Sequence, residues 1–166
     1  MKVRIIEPIK EVQRQKKRVC AYARVSTDNK SQEEYLENQI QYYKNIISSN
    51  QNYEFVGVFA DKGITGTTDK RPEFQRMLSF CREEKIDLII TKSISRFARN
   101  TTIVLSTVRE LRNIGVEVRF EKENINTLSG DGEFMLTVLS SFAQEESKNV
   151  SDNLKWRAKK SLCREN

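Results

Sequence analysis

Val19-Cys-Ala-Tyr22-Ala-Arg24-Val-Ser26 is a short apolar run that ends in a guanidinium and a hydroxyl, and the period changes after it. Leu36, Ile40, Tyr43 and Ile47 fall at the three- and four-residue spacing of one helix face. Val19 to Arg24 therefore reads as a strand and the following segment as a helix ending near Asn50. Asp28 or Ser31 serves as its N-cap, and Glu34, three after Ser31, completes a capping box. The alternation repeats along the chain. Phe55 to Ala60 reads as a second strand, closed by the loop Asp61-Lys-Gly-Ile-Thr-Gly66. Pro72 opens a helix with Phe74, Met77, Leu78 and Cys81 on one face, running to about Glu84, and Asp87 to Thr91 is a third strand. Val104, Leu105, Val108, Leu111 and Ile114 make a helix stopped by Gly115, ahead of a fourth strand, Val116 to Phe120. Strands that alternate with helices imply crossovers between parallel neighbours. The fold class is α/β, with a central, mostly parallel sheet flanked by helices.

The last segment is different. A loop through Gly130 and Gly132 leads to an uninterrupted helical pattern from Glu133 to Leu162, about 45 Å long at 1.5 Å per residue. Phe134, Val138, Leu139 and Phe142 are expected to pack on the sheet. Beyond them Val150, Leu154, Ala158 and Leu162 continue a thin apolar stripe that extends out of the domain and calls for a partner helix, most simply from a second protomer. The expected organisation is a basic N-terminal arm (1–17), an α/β core (18–132) and a long helix (133–166).

At 166 residues the chain is sized for one core. No apolar stretch matches a membrane span or a signal-peptide core, so a cytoplasmic location is expected. The three cysteines are odd in number and lack a C-x-x-C pair, which supports neither a disulfide framework nor a thiolate zinc site. With no histidine at all, the Ser-His-Asp triad is excluded, as are most zinc sites. The net charge of +6 suits a polyanionic partner.

In a doubly wound sheet, functional groups collect beyond the carboxyl ends of the strands, where Arg24, Ser26, Asp61 and the stretch Lys92 to Arg99 all fall. A serine hydroxyl is a poor nucleophile at neutral pH. Guanidinium groups around a phosphodiester can neutralise it, orient it and stabilise a five-coordinate transition state. Taken singly, each cluster reads as readily as a cap, an ion pair or a turn.

Four motifs in order carry more. Tyr22-Ala-Arg-Val-Ser26-Thr, Asp61-Lys-Gly-Ile-Thr-Gly66-Thr, Lys92-Ser-Ile-Ser-Arg96-Phe-Ala-Arg99-Asn and Ala143-Gln-Glu-Glu146-Ser resemble the serine recombinases. The forms with Ser95 and Ser147 look like the large transposon and phage branch. The resemblance implies a resolvase-like catalytic domain that acts on double-stranded DNA without metal or cofactor. Ser26 would attack a phosphodiester, become joined to the 5′ phosphate and release a 3′ hydroxyl; strand exchange and religation would follow. Arg24, Arg96 and Arg99 would surround the phosphate and Arg71 would add charge, while Gln39, Asp61 and Glu146 would support or orient the reacting groups. It also implies a dimer and a synaptic tetramer built on the long helix, which would lead on to a DNA-binding region not present here. A non-catalytic, oligomerising module of the same fold is the alternative. A nucleotide-binding domain lacks its phosphate loop here, and a two-metal nuclease lacks its clustered carboxylates.

Overall fold

The structure is a computed structural model. It describes residues 15–26, 31–63, 71–98 and 100–162; within these the side chains of 25–26, 31–33, 62–63, 146–147, 149–150 and 152–162 lie outside the description. The elements in chain order are β1 (Lys17–Ser26), α1 (Ser31–Ser49), β2 (Tyr53–Gly63), α2 (Pro72–Arg82), β3 (Leu88–Thr91), α3 (Ile94–Phe97), α4 (Thr101–Asn113), β4 (Glu117–Phe120), β5 (Ile125–Asn126) and α5 (Gly130–Leu162). The sheet order is β2-β1-β3-β4-β5, parallel except for the antiparallel β4–β5 edge.

Both faces of the sheet are covered, which is why its central strands read as continuous apolar runs rather than alternating ones. Val19 and Ala21 of β1, with Leu88 and Ile90 of β3, pack on Tyr43 and Ile47 of α1. The intervening residues, Cys20, Tyr22 and Ile89, face the opposite way, into the larger core formed by α2, α3, α4 and the start of α5. Along the β1–β2 ladder the register shifts between Val19 and Cys20, which pair with Phe55 and Gly57. That bulge carries through to place Arg24 opposite Asp61 and Ser26 opposite Gly63.

Several expectations shift. Lys17 belongs to the sheet rather than the arm: it pairs with Tyr53, and its Nζ lies 2.6 Å from a Glu117 carboxylate oxygen. The expected second strand extends to Gly63, so Asp61 stands inside the sheet; the loop residues 64–66 lie outside the described residues, as do the candidate cap Asp28 and most of the basic arm. The helix α2 stops at Arg82, two residues early. Glu84 behind it takes φ 55, the left-handed turn position that glycine usually fills. Gly115 does fill it behind α4, at φ 77.

The correction with most consequence concerns α5, because the expected glycine loop is its first turn. A Cβ on Gly132 would stand 2.5 Å from the Asn126 carbonyl oxygen and from Thr127 Cα, so the helix backbone approaches β5 as only glycine permits. With residue 132 pointing inward, the helical repeat turns Met135, Leu136 and Leu139 to the core. Phe134 and Phe142, expected inside, are instead 73% and 56% exposed. The helix spans 33 residues, about 50 Å. The side chains of Val150, Leu154, Ala158 and Leu162 lie outside the described residues. Among the described residues no helix is long and apolar enough to cross a membrane.

Candidate active site

Two arginines meet at the carboxyl end of β1. Arg24 Nη2 donates to the Ser95 carbonyl at 2.7 Å, and Arg96 Nη1 donates back to the Arg24 carbonyl at 3.2 Å. Each guanidinium is thus held by the backbone of the segment that carries the other. Arg96 is presented by α3, a single turn capped by Ser93, whose Oγ accepts from the Arg96 amide. The segment is pinned by Phe97, fully buried among the rings of Tyr22, Phe74 and Phe120 at 6.3, 5.1 and 5.6 Å. Arg24, Ser95, Arg96, Thr101, Lys122 and Glu123 line an open cleft of about 670 Å³.

Ser26 stands two residues beyond Arg24 as the last residue of β1; its side chain lies outside the described residues, and so does Arg99 entirely. The backbone of Glu146 is part of α5, with its side chain outside the description.

Beneath the cleft lies a second cluster. The Tyr22 hydroxyl donates to Asp61 Oδ2 at 3.0 Å and accepts from Arg71 Nε and Nη2 at 3.1 and 2.9 Å. Arg71 also donates to the Phe97 carbonyl and stacks 3.7 Å from the Phe74 ring centroid. Asp61 accepts from the amides of Glu73 and Phe74 at 3.1 and 2.9 Å, so it caps α2 from a neighbouring strand. The helix's own N-cap residue, Arg71, offers no side-chain cap. Tyr22, Asp61 and Arg71 are all buried. Burial pushes the Tyr22 phenol well above its ordinary range, against the opposing pull of Arg71. In this structure Arg71 holds α2 and α3 to β1 and is not among the residues lining the cleft.

Gln39 joins a third group. Its Nε2 and Lys92 Nζ both donate to the Tyr35 hydroxyl, at 3.1 and 3.0 Å. The Lys92 hydrogen bond lowers the Tyr35 pKa below its ordinary value of 10, with Arg96 adding a smaller electrostatic pull. Lys92 is fixed by the sheet: its carbonyl accepts from the Lys122 amide at 2.9 Å, one step past the β3–β4 ladder.

Of the expected site residues, the structure therefore brings Arg24 and Arg96 together, joins Asp61 to Arg71 through Tyr22, and sets Gln39 beside Lys92. Tyr22 as a hub and Tyr35 as a partner of Lys92 were not read from the sequence. Tyr22 left one signal, since it shares the alternate positions of the strand with Arg24 and Ser26. Tyr35 left none. Among the described residues, no group of three or more His, Cys, Asp or Glu side chains is arranged to hold a metal ion.

The family model described as Resolvase, N terminal domain matches residues 19–165. The Transposon Tn3 resolvase of Escherichia coli is 31% identical over 135 residues, covering 80% of this chain and 65% of that protein. A resolvase/recombinase of Pseudomonas putida is 33% identical over 133 residues, covering 80% and 67%. Among solved structures, a resolvase family site-specific recombinase from Streptococcus pneumoniae superposes with a TM-score of 0.73 at 30% identity, over 88% of this chain and 99% of that one. The N-terminal catalytic domain of TP901-1 integrase shares the fold at a TM-score of 0.61 and 23% identity, over 80% and 98%. The chain spans about two-thirds of the length of these two relatives.

Proposed function

The chain belongs to the resolvase family, and from that premise we propose that it is the catalytic domain of a serine site-specific DNA recombinase. Ser26 is the nucleophile. Its oxygen attacks a DNA phosphodiester, the bond to the 3′ oxygen breaks, and the 5′ phosphate remains on the serine until a new 3′ hydroxyl displaces it. The bond energy is kept in the phosphoserine, so religation needs no ATP. The observation that carries this reading is the mutual clasp of Arg24 and Arg96 on the wall of an open cleft, two residues from Ser26. Two fixed guanidiniums there suit a phosphate whose negative charge grows as it becomes five-coordinate.

Arg99 adds a third guanidinium in this proposal, and Glu146 orients groups at the cleft. Gln39 acts beside Lys92. Asp61 works from below, by holding the α2 terminus and the Tyr22 hydroxyl. Arg71 contributes its charge from the same buried layer.

Double-stranded DNA is the substrate, in the cytoplasm and its nucleoid. A dimer and a synaptic tetramer form through α5, which carries Phe134 and Phe142 on a solvent-facing side eight residues apart. The test joins the chain to a DNA-binding module of known site and supplies a nicked substrate in EDTA. A covalent adduct at the 5′ phosphate is expected, and it disappears in Ser26→Ala. An adduct that persists in that variant, or one that forms only with added metal, overturns the proposal.

A further inference from the structure

Lys92 leaves the sheet on a different side from the arginine cleft. Leu88 and Ile90 of β3 face α1, and the two-residue repeat of a strand turns Lys92, the first residue past Thr91, the same way. Arg24 instead follows Cys20 and Tyr22 toward the core formed by α2 to α5. On the α1 side, Lys92 lines a hollow of about 280 Å³ with Tyr35, Asn38, Gln39 and Tyr42. The hollow and the cleft share no described lining residue. Tyr35 and Tyr42 stand two turns apart on one face of α1, 42% and 49% exposed.

Proton donors gather there. Lys92 Nζ gives one of its three protons to the Tyr35 hydroxyl at 3.0 Å and lies 5.7 Å from the centroid of that ring. The hydroxyl also accepts from Gln39 Nε2 at 3.1 Å, which leaves its own proton to be donated. Among the described residues, the ion pairs do not include Lys92. Glu121, the carboxylate that also lines the hollow, accepts from the hydroxyls of Tyr43 at 3.0 Å and, more weakly, Tyr42 at 3.5 Å. An exposed ammonium beside a phenol with a proton to give suits an anionic oxygen, and the tyrosine rings offer a flat side to a sugar.

The anion is identified by what lies next door. Lys92 and Arg96 are four residues apart in one segment, held by the Ser93 cap and the buried Phe97, and they present cations on the two sides of the sheet at the same end. A nucleic-acid backbone laid across the carboxyl end of β3 meets both. Its phosphates recur about every 3.4 Å along the axis of each strand, so one phosphate in the cleft brings others to the hollow. We propose that the hollow holds a non-scissile phosphate of the DNA strand being cut, with Lys92 and Tyr35 as its ligands, and so sets where the scissile phosphate falls between Arg24 and Arg96; this rests on the recombinase reading above. Lys92 and Tyr35 are positioning residues in this role. They fix the register of the backbone without reading its sequence.

The test removes phosphate charges one at a time. The chain joined to a DNA-binding module, with its Lys92→Met, Lys92→Arg and Tyr35→Phe variants, is given nicked duplexes carrying a single neutral methylphosphonate at successive non-scissile positions. Formation of the Ser26 adduct is read at subsaturating protein. The parent is expected to lose about tenfold at one position beside the cleavage point. Lys92→Met, already about tenfold down on natural DNA, loses nothing further at that position and as much as the parent at the others, and its salt slope is shallower by about one. Lys92→Arg keeps the charge and the parent's profile. Tyr35→Phe removes the second donor without touching a charge, and its sensitivity at that position falls by about threefold, which carries the test if Lys92→Met does not fold. A Lys92→Met or Tyr35→Phe profile that follows the parent's at every position overturns the inference and leaves the recombinase reading intact. If the parent forms no adduct on natural DNA, or Ser26→Ala forms one, the recombinase reading fails and the inference with it.

Discussion

Replacing Tyr22 by phenylalanine removes one oxygen atom from the middle of the molecule and nothing else. The ring is fully buried and keeps its edge contacts with Phe74 and Phe97 at 5.1 and 6.3 Å. The lost hydroxyl, however, serves three partners. Asp61 retains two backbone donors and Arg71 Nη2 retains the Phe97 carbonyl, so neither is stranded. Arg71 Nε alone loses the acceptor it has here. A buried donor left unsatisfied costs about 1–3 kcal/mol, more for a charged group, offset in part because phenylalanine carries no hydroxyl to desolvate. The expected net loss is about 2 kcal/mol, or a fall in Tm of about 4–8 °C for a chain of this length. Thermal and urea unfolding measure it, with an unchanged urea m-value as the sign that only the native network was altered.

A double-mutant cycle with Asp61→Ala sharpens the test. Alone, Asp61→Ala removes the α2 cap, worth about 1 kcal/mol, together with the acceptor for the Tyr22 hydroxyl. Because the two changes share one hydrogen bond, the double variant is expected to lose less than the sum, by about 0.5–1.5 kcal/mol. A Tm shift under about 1 °C for Tyr22→Phe, or strict additivity in the cycle, refutes the reading of Tyr22 as a hub.

Other consequences can be checked separately. In Gly132→Ala the new Cβ meets backbone at 2.5–2.6 Å, and overpacking of about 1–3 kcal/mol outweighs the roughly 0.5–1 kcal/mol that alanine gains in a helix; a Tm equal to or above the parent's contradicts this. The Arg18 guanidinium holds the Asp87 carboxyl below its ordinary 3.8, so the pair stabilises above the ordinary carboxylate range and that stability is lost as pH falls below about 4. The pair is more than a third exposed on the Arg18 side, so the Tm deficit of Asp87→Asn is small at pH 7 and is expected to vanish in acid; a deficit independent of pH counts against the ion pair. Phe134→Ser with Phe142→Ser, at positions 73% and 56% exposed, is expected to weaken self-association in sedimentation while leaving the Tm of the monomer nearly unchanged. Arg96→Lys keeps a positive charge but loses the planar fork, and DNA cleavage is expected to fall about 100- to 1000-fold with the fold intact, which circular dichroism and single-turnover assays together test.

The central strands β1 and β3 were legible because each is buried on both faces and so writes a run of apolar residues into the sequence, while β2 at the edge and β4, which alternates charged and apolar residues, were marked by fewer apolar positions between turns and helices. The two-residue β5 carries no such run: it is held by the Thr127 hydroxyl, which accepts from the Val118 amide at 2.8 Å, and by Asn126 bonded to Glu117 at 2.5 Å. The face of α5 was misread for a related reason. Phe134 and Phe142 are the largest apolar side chains in its first half, and burial by size favoured them. The rotation of the helix is instead fixed by a backbone contact at Gly132, which hydrophobic periodicity does not register.

The site was legible as a set of residue types and not as an arrangement. Arg24, Arg71 and Arg96 look alike in a sequence, yet here Arg71 is sunk among Tyr22, Phe74 and the Phe97 carbonyl while Arg24 and Arg96 reach the cleft. The two layers are joined through single residues: Phe97 gives its ring to the core and its carbonyl to Arg71, and the residue before it is Arg96. On β1, Tyr22 anchors the lower layer and Arg24, two positions on and itself buried, lines the cleft above it, because a strand returns to the same face every second residue. Charge in the upper layer is therefore aimed by packing in the lower. This is why a change confined to Tyr22 is expected to be felt at Arg96, without any direct contact between them.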